Sequence, residues 1–216
     1  MFEQASNAYD RIMGAAAIRP YRPADRDQVY DVCLRTSDSG RDGTLSYRDP
    51  ELVGDMFAGP YLLLAPEFAF VLDDGERVSG YILGAPDTPK FYRQLREVWL
   101  PLVGDRHPAP VGPPANRDEE IADLLHHPER LLVPELADYP AHLHIDLLPH
   151  VQRAGWGRKL IKTLLDALRA AGVPRVHLGT QTTNTAAGVF YERIGFHVLD
   201  VPNPGPIVFY GHSTDF

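Results

Sequence analysis

Cysteine is almost absent: Cys33 is the sole one in 216 residues. No intramolecular disulfide can form, which fits a reducing compartment. Long apolar runs are missing too. Residues 1–17 carry acidic and polar side chains throughout and offer neither a signal peptide nor a membrane span. Basic charge is scarce, with 21 Lys and Arg against 29 Asp and Glu and a formal net charge of −8. An acidic surface repels phosphate backbones, so no nucleic-acid partner is expected, and cationic partners are mildly favoured. A cysteine pair and a His-Glu-x-x-His pattern are both lacking, so no metal is expected. These absences leave a soluble, cytoplasmic protein with no membrane partner. They say nothing of oligomeric state.

What is present is a core. Apolar residues make up 44% of the chain, and the length suits one domain over residues 1–216. Residues 1–14 read as a loose tail or short helix, and 16–21 as a strand broken by Pro23. Asp25 is placed to cap a helix running to Arg35, with Val29, Val32 and Cys33 on one face. A second short helix covers 50–57. Residues 68–72 and 78–83 flank Asp73-Asp74-Gly75-Glu76 as a hairpin, in which Gly80 and Gly84 mark a bulge or a close backbone approach. Residues 86–140 are rich in proline, with helical stretches at 88–100 and 117–127. They read as an insertion between two strands, too short for a core of its own. Its Phe91, Tyr92 and Trp99 either wall a pocket or form a small helical core.

The pattern then sharpens. Residues 141–148 form a strand stopped by Pro149. Residues 155–171 form a helix with Leu160, Ile161, Leu164, Leu165 and Leu168 on one face, closed by Gly172. A strand over 175–179, a helix over 185–194 and strands over 196–201 and 207–210 complete the chain.

The loop Gln152-Arg153-Ala154-Gly155-Trp156-Gly157 joins a strand to a helix. Glycines let a ligand come close to the backbone, and the first helical amides have no intrahelical partner. With the helix dipole and Arg153, Arg158 and Lys159, this makes an anion site. Two glycines can equally serve a plain strand-helix turn. The loop is not a dinucleotide fingerprint, since a third glycine is missing, and it lacks the Gly-Lys-Ser/Thr of a P-loop.

Residues 143–149, Leu-His-Ile-Asp-Leu-Leu-Pro, followed by Gln152-Arg-Ala-Gly-Trp-Gly157, resemble the Gln/Arg-x-x-Gly-x-Gly/Ala motif of the GNAT N-acetyltransferase superfamily. Asn184, Ala186-Ala187 and Phe190-Tyr191-x-x-x-Gly195-Phe196 are similar to its second signature, and Ile18-Arg-Pro-Tyr-Arg-Pro-Ala-Asp25 resembles its first strand and turn. A closer resemblance is to the acetyltransferase-like C-terminal domain of eukaryotic O-GlcNAcases. Animal members of that group have lost the glycine loop, which this sequence keeps. The chain has no room for their glycoside hydrolase domain, so no glycosidase activity is expected.

The resemblance implies an α+β GNAT fold: a central mixed, mostly antiparallel sheet flanked by helices, with the proline-rich insertion added. It implies acetyl-CoA as co-substrate and a small-molecule amine or a protein lysine as acceptor. Leu147 and Leu148 would pair with the pantetheine arm, with an amide near Leu147 polarising the thioester carbonyl. Gln152, Arg153, Ala154, Gly155, Trp156, Gly157 and Arg158 would hold the pyrophosphate. Asn184 and Ala187 would border the pantetheine, and Asn184 would also cap its helix. Tyr191 would protonate the departing thiolate. From the residues themselves, His142, His144 and Asp146 alternate and share a strand face. Asp146 or His144 is the candidate base, directly or through water. The competing possibility is a catalytically silent acetyl-CoA-binding module.

Overall fold

The computed structural model describes residues 16–216. The reading of residues 1–14 lies outside that range. β1 (Ala17–Pro20) leads through a short 3-10 turn into α1 (Arg26–Thr36), α2 (Pro50–Phe57) and α3 (Gly59–Leu64). The hairpin of β2 (Ala69–Asp73) and β3 (Val78–Ala85) follows. Next come α4 (Thr88–Gln94), a π-helical segment (Leu95–Trp99), α5 (Leu100–Val103) and α6 (Arg117–His126). β4 (Ala141–Leu147), α7 (Trp156–Ala170), β5 (Arg175–Gln181), α8 (Thr185–Arg193), β6 (His197–Val198) and β7 (Ile207–Ser213) complete the chain.

The strands form one sheet in the order β1-β2-β3-β4-β5-β7-β6, in which β4 and β5 run parallel and every other pair is antiparallel. The sheet is therefore mixed and mostly antiparallel, as the family resemblance implies. The two faces bury separate cores. On one, the Leu160, Ile161, Leu164, Leu165 and Leu168 stripe of α7 is fully buried against Leu72, Ile82 and Val176. Gly84 permits this approach, because a Cβ there would stand 2.6 Å from Leu164 Cδ1. On the other, Val29, Val32 and Cys33 of α1 and Leu52, Val53 and Met56 of α2 pack on Val71, Tyr81 and Leu83.

The insertion joins this second core through Phe91, Leu95, Trp99, Val103 and Leu125. Most of its aromatic surface is thus core, though Tyr92 also reaches a cleft described below. A buried polar hub fixes its position. The unexposed Asp55 carboxylate of α2 accepts from Tyr30 Oη at 2.7 Å, His107 Nε2 at 2.8 Å and Arg106 Nη2 at 2.5 Å. Its backbone carbonyl accepts from Trp99 Nε1 at 2.7 Å. Burial alone would raise the Asp55 pKa, but the bonds from His107, Tyr30 and Arg106 outweigh it and hold the carboxyl below its usual range.

Two local expectations need correction. Asp25 does not cap α1 with its side chain. Its carboxylate takes the Arg19 guanidinium at 2.7 and 2.9 Å and the Arg22 amide at 2.8 Å, clamping the turn after β1 instead. The penultimate strand shrinks to His197–Val198, whereas β7 extends to Ser213 along the whole of β5.

Candidate functional site

β4 and β5 pair only at Ala141↔Val176 and His142↔His177. Beyond those residues β4 continues to Leu147 and β5 to Gln181 unpaired with each other, so the strands open as a V. Their outer edges stay tied to β3 and β7. The Leu148 amide donates to Ser79 O at 2.9 Å. Alternation along the strand then turns the backbone of Asp146 and His144 toward β3, and that of Leu147, Ile145 and Leu143 toward the opening. Gln152 Nε2 donates to the Leu147 carbonyl at 2.8 Å and leaves the Leu147 amide facing the gap.

Leu148 departs from its expected place beside Leu147. Its side chain is fully buried, its amide is committed to Ser79, and its carbonyl accepts from the Val151 amide at 3.1 Å. Adjacent strand residues face opposite edges, so only one of the pair can open onto the gap.

The loop after β4 ends at Gly155, whose φ of +83° sets the turn into α7, and Arg153 also has a positive φ of 60°. Among the described residues, no amide from Arg153 to Arg158 donates to a protein acceptor; the first to do so is Lys159, to Gly155 O at 3.2 Å. Free amides at the positive end of a 15-residue helix form an anion cradle. Arg153 and Arg158 are exposed beside it, and Ala154 is half-buried.

The two glycines have intramolecular reasons for being there. Gly155 supplies the left-handed backbone. At Gly157 a Cβ would stand 3.0 Å from Phe190 Cζ, so the missing side chain lets α8 lie against α7. The Trp156 ring is packed into the core at 7% exposure, with the Lys159 ammonium 3.9 Å from its centroid. It is the Trp156 amide, not the indole, that faces the cradle.

α8 links this loop to a cleft of about 680 Å³. Phe190 lies under Gly157, while the next residue, Tyr191, lines the cleft with Asp146, His144, Asn184 and Ala187. Of the residues singled out in the sequence, these five line the cleft together with His142, Phe91 and Tyr92, and 152–158 sit outside it. Asn184 Oδ1 accepts from the Ala187 amide at 3.3 Å and caps α8. Its Nδ2 stays on the side of Gly40, whose hypothetical Cβ would lie 3.5 Å away.

The Tyr191 side chain is nearly buried, yet its hydroxyl bonds no described protein atom. Burial first, and then the nearby Asp146 charge, push its pKa up, so the phenol keeps its proton. Burial also raises the Asp146 carboxyl above its ordinary value, against the opposing pull of His144 and of a Tyr81 hydrogen bond. A carboxylate so placed is a better base than one in water. His142, the third member of the row, is separate from these two. It is locked between Thr88 Oγ1 at 2.9 Å and Tyr61 Oη at 2.8 Å, and its ring stacks on Tyr92. Burial drives its pKa far down and keeps it neutral.

Sequence reasoning missed Tyr81, which contacts both Asp146 and His144 from the neighbouring strand. It also missed the 36–40 loop, where Thr36, Ser37, Ser39 and Gly40 line the cleft and Ser39 Oγ meets Thr183 Oγ1 at 3.2 Å. Tyr81 could have been found only by knowing that β3 and β4 pair with Tyr81 opposite Asp146. No group of three or more metal-ligating side chains occurs among the described residues. No helix there is long and apolar enough to cross a membrane.

Residues 133–196 match the model of the acetyltransferase (GNAT) family. The crystal structure of SsHAT is 53% identical, with a TM-score of 0.90 over 94% of this chain and 100% of that one. Protein O-GlcNAcase from Rattus norvegicus is 28% identical over 200 residues, which are 91% of this chain and 22% of that protein. The chain thus spans about a fifth of the length of the curated relatives it matches. The structure of yncA from Salmonella typhimurium with its cofactor acetyl-CoA shares the fold at 14% identity and a TM-score of 0.54, covering 93% of this chain and 95% of that one. A strand pair opened as a V, a cradle of free amides and a parallel crossover through α7 are the features of an acyl-CoA-dependent acetyltransferase fold. The chain belongs to the acetyltransferase (GNAT) family.

Proposed function

We propose that this protein transfers an acetyl group from acetyl-CoA to a primary amine by direct attack. The observation that carries the reading is the opening between β4 and β5, with the free Leu147 amide on its edge, the amide cradle of Arg153–Arg158 at its end, and Asp146 and Tyr191 in the adjoining cleft. The residues fit the co-substrate chemically. A pyrophosphate would meet unpartnered amides and the exposed Arg153 and Arg158. An amide-rich pantetheine arm would find the unpaired backbone of Ile145 and Leu147, with Asn184 Nδ2 across the gap. The Leu147 amide is oriented to donate to a developing oxyanion.

An amine nucleophile must be neutral to attack, and Asp146 is the group that takes its proton. As the amine nitrogen bonds to the carbonyl carbon and the carbon-sulfur bond breaks, Tyr191 donates its proton to the departing thiolate. The cleft wall made by the insertion, including Tyr92, holds the acceptor, which is a small-molecule amine or a protein lysine.

The test is calorimetric titration with acetyl-CoA, followed by a turnover assay over a panel of amines. The Arg153→Glu, Arg158→Glu variant changes two exposed side chains and leaves both glycines alone. Binding by the native chain, weakened in the folded variant, supports the loop assignment. No binding by the native chain sinks the proposal. Binding without turnover on any amine would leave the silent acetyl-CoA-binding module as the correct reading.

A further inference from the structure

We infer that Asp146, Tyr81 and His144 form a proton relay, in which the buried Tyr81 phenol passes the proton accepted by Asp146 to His144 and thence to solvent. The inference rests on the assignment of Asp146 as base. Its geometric basis is a chain of three groups with one gap. Tyr81 Oη lies 2.6 Å from Asp146 Oδ2 and 3.2 Å from His144 Nδ1. Asp146 Oδ2 and His144 Nδ1 are 3.7 Å apart, beyond hydrogen-bond reach of each other. The phenol is therefore the link between them.

Tyr81 sits at the centre of the sheet with no exposure, directly opposite Asp146 in register. Phenylalanine would fill the same space without a hydroxyl to satisfy. A hydroxyl buried there needs a partner, and both of its partners are titratable groups of the cleft. The two ends differ in access: the His144 side chain is 35% exposed and that of Asp146 20%. Phe57 stacks on the His144 ring at 5.9 Å between centroids and 24° between planes, which holds Nδ1 toward the phenol. The relay is directed outward, from the more enclosed carboxylate to the more accessible imidazole.

The steps balance. At rest the Tyr81 hydroxyl donates to the Asp146 carboxylate. The amine nitrogen gives a proton to Asp146, which becomes a donor to Tyr81 Oη. The phenolic proton passes to His144 Nδ1 as the carboxyl proton replaces it on the phenol. Asp146 is a carboxylate again, His144 is an imidazolium, and its Nε2 proton leaves to water. Three further titratable groups face the cluster: the Cys33 thiol from α1, Tyr191 from α8 and His142 on β4 itself. Burial keeps all three neutral, with the Cys33 thiol pushed up to about 12, so none competes for the proton near neutrality. Tyr81 and His144 act through Asp146 and are positioning residues.

The experiment is single-turnover acetyl transfer to the best amine of the panel, in H2O and D2O and across the neutral pH range. It compares the native protein with Tyr81→Phe, His144→Ala, their double variant and Asp146→Asn. The relay predicts that Tyr81→Phe slows the transfer step about a hundredfold, at the low end of what proton-transfer groups contribute. Acetyl-CoA and amine affinities stay unchanged, and the solvent isotope effect and pH profile change. The double variant is no slower than either single one. Added imidazole restores His144→Ala and leaves Tyr81→Phe slow; the His144→Ala arm stands even if Tyr81→Phe fails to fold. A full rate in Tyr81→Phe, or additive losses in the double variant, would overturn the relay while an inactive Asp146→Asn left the base assignment intact. A full rate in Asp146→Asn would remove both.

Discussion

Replacing Asp55 by alanine should detach the insertion from α1 and α2 by leaving its buried partners without an acceptor. The side chain has no exposure and receives Tyr30, His107 and Arg106, with Arg26 at 3.7 Å. The Arg106 and Arg26 side chains are 55% and 37% exposed, so water replaces much of what they lose. Tyr30 and His107 have no such recourse, being 4% exposed each. Each unpaired buried donor costs about 1–3 kcal/mol, and breaking a buried charged cluster from one side costs about 3–5 kcal/mol in total. Against a typical stability of about 5–15 kcal/mol the loss is large, corresponding to a fall in Tm of roughly 10 °C for a domain of this size. Thermal and urea unfolding read the effect, and limited proteolysis shows whether cleavage moves into 104–116. The pKa of Asp55 is lowered in the folded state. Its contribution is therefore full above the unfolded carboxyl pKa and disappears as pH falls through the folded value. The native protein and Asp55→Ala should converge in stability on acidification. A loss under about 1 kcal/mol, the size of an ordinary exposed pair, would refute the claim that this hub fixes the insertion.

Two further perturbations separate structure from ligand contact. Asp74, held at about 2 mainly against burial by Ser79 Oγ, the Glu76 and Arg77 amides and His150, should add about 2 kcal/mol of stability above pH 4 that is lost toward pH 2; urea midpoints of Asp74→Asn over that range should show a native advantage that shrinks with acid. Asn184→Ala should lose about 1 kcal/mol through the uncapped α8 and also weaken acetyl-CoA binding. Asn184→Ser, which keeps a capping oxygen and loses the Nδ2 donor, should recover stability and still bind weakly; tight binding by the serine variant would remove Nδ2 from the site.

Much of the molecule was legible in the sequence because local rules write it there. The stripe from Leu160 to Leu168, the positive-φ glycines Gly155, Gly172 and Gly195, and the proline after β4 act over a few residues and need no knowledge of the rest of the fold. The amide cradle belongs to the same class, since a helix start after a glycine turn exposes amides whatever surrounds it. Tertiary structure decided everything that depends on pairing and register. Leu147 opens onto the gap and Leu148 does not because β3 takes the Leu148 amide. His142 lines the cleft with both ring nitrogens bonded to Thr88 and Tyr61, while Asp146, four residues along the same face, lies beside the opening, because β4 and β5 separate between them. Tyr81 meets Asp146 from 65 residues away through an antiparallel register that no local periodicity encodes. Spacing along one strand says which side chains share a face. Which of them are buried, bonded or free depends on neighbours that the chain brings in from far along its length.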